Sequence, residues 1–194
     1  MTTTRKTLLQ RVRDPADRDA WEQFFELYSP LLEGYARACG LARADAQEVR
    51  DQCLEVLVRR LPGFEYERSK GSFQVWLQKI ARGKVVDHLR SARVAREETA
   101  ELATLGDAGL EPDQHWERQW RSEHLRYALR DALRGETSDA ERAFELLLLD
   151  ELGVPEVCAR TGLNANQVYK AKARILRRVR EVLERLGVGA EEQM

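Results

Sequence analysis

The chain has 194 residues, of which 43% are hydrophobic and 34% charged, and its 32 Lys and Arg against 33 Asp and Glu leave a formal net charge of -1. That length accommodates two small domains, each with a core of its own. The near-zero charge means that any case for a polyanionic partner rests on where the basic residues lie.

The opening MTTTRKTLLQRVRD is basic but has no apolar run long enough for a signal or a membrane span, so the expected compartment is the cytoplasm, with no membrane partner. Leu8, Leu9 and Val12 mark a short first helix, and Asp14-Pro15-Ala16-Asp17 reads as a turn capping the next. That next helix is long. Trp21, Phe24, Phe25, Tyr28, Leu31, Leu32 and Tyr35 recur at helical spacing, an aromatic-rich stripe that belongs to a core, with Pro30 as a kink or restart. Gly40-Leu41 closes it and Asp45 opens the next helix, DAQEVRDQCLEVLVRRL. There Val49, Cys53, Val56 and Leu57 point inward, while Glu48, Asp51, Gln52 and Glu55 share another face. Such an acidic face is either plainly solvated or a docking surface for a basic partner.

Leu61-Pro62-Gly63 ends that helix, and the loop FEYERSKGS carries Phe64, Tyr66, Arg68 and Lys70. Aromatic and basic side chains together suit a single strand, through stacking and phosphate contact. The following helix buries Phe73, Trp76, Leu77, Ile80 and Leu89, with Val85 or Val86. Its outer surface is basic through Lys79, Arg82, Lys84, His88, Arg90, Arg93 and Arg96. Residues 97–113, EETAELATLGDAGLEPD, are acidic and broken by Gly106, Gly109 and Pro112, the composition of a flexible linker.

Beyond the linker, residues 114–133 form an amphipathic helix whose Trp116, Trp120, Leu125, Ala128, Leu129 and Ala132 are expected to pack on the rest of a C-terminal domain. A helix over 139–149 turns Phe144, Leu147 and Leu148 inward. Then comes a pair of short helices: Val154, Val157 and Cys158 line one, and Val168, Ala171 and Ile175 line the other. Thr161-Gly162-Leu163 supplies the turn, Asn164 caps the second helix, Pro155 fits the first turn of the first, and Ala159 leaves room for close approach. This is a helix-turn-helix, with Asn164, Asn166, Gln167, Tyr169, Lys170, Lys172, Arg174 and Arg178 on the second helix offered to base edges and phosphates. The competing view is a solvated helix pair whose C-terminal positive charge complements the macrodipole. The tail 188–194 is expected to fray.

Cys39, Cys53 and Cys158 are odd in number and widely spaced, and His88, His115 and His124 share no ligand spacing with them. Neither a metal nor a cofactor nor a catalytic cluster is expected, and the chain reads as a non-enzyme.

From Trp21 to Arg90, AWEQFFELYSPLL, DAQEV and LPGFEYERSKGSFQVWLQKIARGKVVDHLR closely resemble the second conserved region of bacterial RNA polymerase sigma factors of the extracytoplasmic-function (ECF) type. Trp76-Leu77, Ile80-Ala81-Arg82 and Asp87 to Arg90 carry the most specific part, and the C-terminal helix-turn-helix resembles that family's fourth region. The resemblance implies an all-α protein of two helical domains: residues 1–96, a linker over 97–113, and a second domain over 114–187. It implies a sigma factor that binds core RNA polymerase and directs promoter recognition, DNA melting and initiation at a subset of promoters. Glu48, Asp51, Gln52 and Glu55 would dock on the clamp of the largest subunit, and the second domain on the flap of the second-largest. Phe64, Tyr66, Arg68, Lys70, Lys79, Arg82, Lys84, His88, Arg90 and Arg93 would hold the melted minus-ten element. The second helix of the helix-turn-helix would read the minus-thirty-five element, and an anti-sigma factor is a further implied partner. Arg50 and Asp51 stand where relatives carry an apolar residue and a glutamine, and Gly83 stands where many carry a base-capturing asparagine. The alternative is a free-standing helix-turn-helix regulator that binds duplex DNA without polymerase.

Overall fold

The computed structural model describes residues 7–63, 73–97, 112–148 and 150–186, which hold eight α-helices and, among the described residues, no strand. In chain order these are α1 (Leu8–Arg11), α2 (Arg18–Ala38), α3 (Arg43–Arg60), α4 (Phe73–Glu97), α5 (Pro112–Leu133), α6 (Ser138–Leu148), α7 (Val154–Thr161) and α8 (Ala165–Leu186). They divide into two compact units, residues 1–123 and 124–194, and the division falls inside α5. The linker stretch 98–111 and the tail from 187 lie outside the described residues.

In the first unit α3 packs between α2 and α4. Asp17 caps α2, accepting from Ala20 N at 3.0 Å, and Arg11 of α1 holds the same carboxylate at 2.7 and 2.9 Å. The arginine foremost, then the backbone donor, hold the Asp17 carboxyl below its usual range. α2 runs unbroken through Pro30 and buries Phe24, Leu27, Tyr28, Leu31, Leu32 and Tyr35. In α4 the deep row is Phe73, Leu77, Ala81 and Val85, spaced four apart. Trp76, expected in the core, is half-buried, one position off that row.

A larger correction concerns the tryptophans of α5. They pack on the first unit and not on the C-terminal one: Trp116 meets Tyr35 edge-on at 5.2 Å between centroids, and Trp120 lies 5.9 Å from Tyr28 and 6.4 Å from Phe73. The physical reason lies in α2 and α4, whose aromatic face the three-helix packing leaves open. Two indoles bury a large apolar area against it. Trp116, Trp120, His124, Tyr127 and Ala128 form the buried row of α5, and Leu125, one position off it, is exposed and not inward as expected.

The second unit has a smaller, aliphatic core of Ala143, Leu146, Val157 and Val168, with Leu147, Leu152, Val154, Cys158 and Leu163 around it. Leu148, expected inward, is exposed, because the run from Leu146 to Leu149 has no polar phase marker and Ala143, Phe144 and Leu146 take the inner positions. Ala159 is also exposed and spaces nothing. Gly162 closes α7 at φ 74°, a conformation that a Cβ disfavours, with its N–H donating to Cys158 O at 2.9 Å. Asn164 then opens α8 reciprocally: its Oδ1 accepts from Gln167 N at 3.0 Å, and its N–H donates to Gln167 Oε1 at 2.8 Å.

Candidate nucleic-acid interface

The acidic face of α3 forms because Ala46, Val49, Cys53 and Leu57 are drawn into the core, leaving the opposite side to water. Glu48, Asp51 and Glu55 are exposed and Gln52 is half-buried. They are not bare charges. Gln52 Nε2 donates to Glu48 Oε1 at 3.1 Å, and Arg59 pairs with Glu55 at 2.8 Å. Arg50 reaches both Asp51, at 2.8 Å, and Glu33 of α2, at 3.0 Å. Arg50 therefore ties α3 to α2 and fixes the Asp51 carboxylate. Exposed pairs of this kind contribute little to stability and yield readily to a stronger partner.

On α4 the buried row sends Val75, Lys79, Arg82, Val86 and Arg90 outward together, three or four residues apart. Gly83 lies within this stripe, and a Cβ built there meets nothing within 4 Å, so the helix backbone is bare between the cations. Arg82 stands 3.8 Å from Asp113, in the first turn of α5. Lys84 and His88, predicted on the same basic surface, are not part of it. Both are half-buried on the side facing α3: His88 Nε2 is 3.6 Å from Asp45 Oδ1, and Lys84 lies near Cys53. Burial pushes the Cys53 thiol up to about 12, with Lys84 opposing it, consistent with an inert core cysteine. Their positions on the helix, one and two turns beyond Ala81 toward the core side, account for the difference. Phe64, Tyr66, Arg68 and Lys70, and the side chain of Arg93, lie outside the described residues.

α8 buries Val168, Ala171, Ile175, Val179 and Val182, and so presents Asn166, Tyr169, Lys170 and Arg177 to solvent. Tyr169 is 58% exposed, unusual for a tyrosine. The other predicted residues are held differently. Asn164 and Gln167 spend their side chains on the reciprocal cap, and Lys172 is half-buried. Arg174 Nε donates to Glu136 Oε1 at 2.9 Å and its Nη2 to Glu136 Oε2, while Arg178 Nη1 donates to Glu136 Oε1 at 2.9 Å and to Ala132 O at 3.3 Å. The Glu136 side chain is 3% exposed. These donors, Arg174 first, hold its carboxyl below the ordinary range, and the same bond raises the Arg174 guanidinium. Sequence reading missed Glu136. Its only signal was indirect: two arginines four residues apart on one flank of a helix.

Among the described residues, no three His, Cys, Asp or Glu stand close enough to hold a metal, and no helix is long and apolar enough to cross a membrane.

These elements coincide with matches to known proteins. The family model for sigma-70 region 2 matches residues 24–94, the stretch carrying the α2 core, the acidic face of α3 and the stripe of α4. The chain is also similar to the ECF RNA polymerase sigma factor RpoE of Cereibacter sphaeroides, 26% identical over 181 residues that cover 92% of this chain and 91% of that protein. One match lies over the first unit and one runs along nearly the whole length, so the chain is similar to sigma factors of the ECF type over 92% of its residues.

Proposed function

We infer that the protein binds core RNA polymerase and directs transcription initiation at a subset of promoters, with no chemistry of its own. The observation that carries this reading is the region 2 match, which spans both the outward acidic face of α3 and the outward basic stripe of α4. In the finer assignment, Glu48, Asp51, Gln52 and Glu55 dock on the clamp of the largest polymerase subunit. Lys79, Arg82 and Arg90, together with residues 64–72, hold the unpaired minus-ten strand. The bare backbone at Gly83 leaves room there for a base turned out of its stack, a movement that costs a few kcal/mol and is recovered by stacking and pocket contacts. The second unit sits on the flap of the second-largest subunit and lays α8 in the major groove of the minus-thirty-five element. The place of action is the cytoplasm, where polymerase meets the genome.

Transcription in vitro with core polymerase on a pool of genomic fragments tests the reading. New start sites that share an upstream and a downstream element are expected when the protein is added; a start profile unchanged by the protein refutes it. Reversing Glu48 and Asp51 to lysine is expected to abolish co-purification with core polymerase while leaving the helical spectrum intact. Undiminished co-purification would remove α3 from the docking surface.

A further inference from the structure

We propose that Glu136 is a positioning residue for upstream-duplex recognition: it holds Arg174 and Arg178 against the turn between α5 and α6, keeps both guanidinium groups off DNA, and leaves reading to Asn166, Tyr169 and Lys170. This rests on α8 being the duplex reader.

The geometry is specific. Glu136 follows Gly135, at φ 83°, and its N–H donates to Leu133 O at 3.0 Å, so the backbone as well as the side chain is fixed. Its buried carboxylate accepts from two arginines one helical turn apart, and Arg178 also reaches the Ala132 carbonyl. The arginine side chains are 42% and 40% exposed, and their bonds to Glu136 run through Nε and Nη2 of Arg174 and Nη1 of Arg178. An arginine that left for a phosphate would abandon a buried carboxylate, and a buried charge stripped of its partner is strongly unfavourable. A bidentate Arg–carboxylate pair is also among the stronger charge-assisted contacts. Asn166, Tyr169 and Lys170 are exposed at the N-terminal end of α8, where recognition helices of this motif meet base edges. The two arginines therefore set the roll of α8 about its axis, and through it the angle at which those three side chains approach the groove.

The test uses the full chain, a duplex carrying the upstream element of a promoter mapped with the holoenzyme, and the same duplex with that element scrambled. Affinities are measured by anisotropy over a salt series. In E136Q the freed arginines are expected to steepen the salt dependence by about one to two in log–log slope, at about 0.9 per added phosphate contact, and to narrow the ratio between the two duplexes by roughly three- to tenfold. E136D, which keeps a carboxylate, is expected to return toward wild type. A merely structural brace would move neither slope nor ratio in a folded variant, and that result overturns the inference. Should E136Q fail to fold, the wild-type protein decides: the Arg174 Nε–H and Arg178 Nη1–H signals are expected to stay protected and unshifted when the duplex is bound, and a shift or loss of protection in either overturns the inference. A wild-type protein with no preference between the duplexes sinks the reading of α8 and this inference with it, whereas a wild-type preference unaltered in E136Q sinks this inference alone.

Discussion

The two units reach stability by different means. The first closes a broad aromatic core, with Tyr28, Tyr35 and Phe73 sealed by Trp116 and Trp120, and exposes Glu48, Asp51 and Glu55 on α3 and Lys79, Arg82 and Arg90 on α4. The second has a core mainly of alanine, valine, leucine and isoleucine, joined by Tyr127 and Phe144, and supplements it with a carboxylate held by two arginines. The first unit also ties its helices with ion pairs, Arg11 on Asp17 and Arg50 on Glu33, but in the second two arginines converge on one carboxylate whose side chain is 3% exposed. Counting basic residues on a helix therefore overstates how many of them lack a partner inside the fold.

The most damaging way to break this contrast is to remove the aromatic seal. Trp116→Ala is expected to cost the first unit about 3–5 kcal/mol, the range for truncating a fully buried tryptophan. Hydrogen exchange of the α2 and α4 amides would register it. Half-buried Trp76 should cost distinctly less, and equal losses would mean that the seal is misplaced.

In the second unit, Glu136→Gln is expected to lose about 1–3 kcal/mol, the scale of hydrogen bonds to charged groups. Because the Glu136 carboxyl is depressed from an ordinary value of 4.5, its contribution is fully present above that pH and is lost as pH falls through the lowered folded value. Wild type and variant should differ in melting temperature near neutrality and converge in acid. A gap independent of pH would show that the carboxylate charge contributes nothing.

Lys170→Ala is expected to weaken duplex affinity by about 1–3 kcal/mol if Lys170 reads a base, or to reduce the salt slope by about 1 if it touches phosphate. An unchanged affinity and slope would take α8 out of the groove. The smallest effect is expected from Asn164→Ala, about 1 kcal/mol from the lost cap of α8, visible in thermal unfolding. A neutral result would mean that tertiary packing alone starts the helix.

Much of this was legible in the chain, and the limits follow from what period and local chemistry encode. The turn between α7 and α8 could be read because each of its devices is local: Gly162 for the left-handed turn, Asn164 for the cap, Val168, Ala171 and Ile175 for the inner row. The acidic face of α3 was legible for the same reason. Period tells which face of a helix is apolar but not what covers it, and so it does not reveal that Trp116 and Trp120 pack on α2 and α4. On α4 a run of cations hid the turn of the helix, which carries Lys84 and His88 away from Lys79, Arg82 and Arg90. Glu136 was illegible because a carboxylate in a Gly-containing turn looks solvated, and its arginines are 38 and 42 residues away.

Because the division between the units runs through the middle of α5 and not through the acidic stretch before it, dissection of the protein has a natural cut and an unnatural one. A fragment ended at residue 96 would lose both indoles and should clump or unfold, whereas one carried on to Glu123 takes its own stopper along. Polymerase-binding trials with the shorter piece would mistake a damaged fragment for an inactive one.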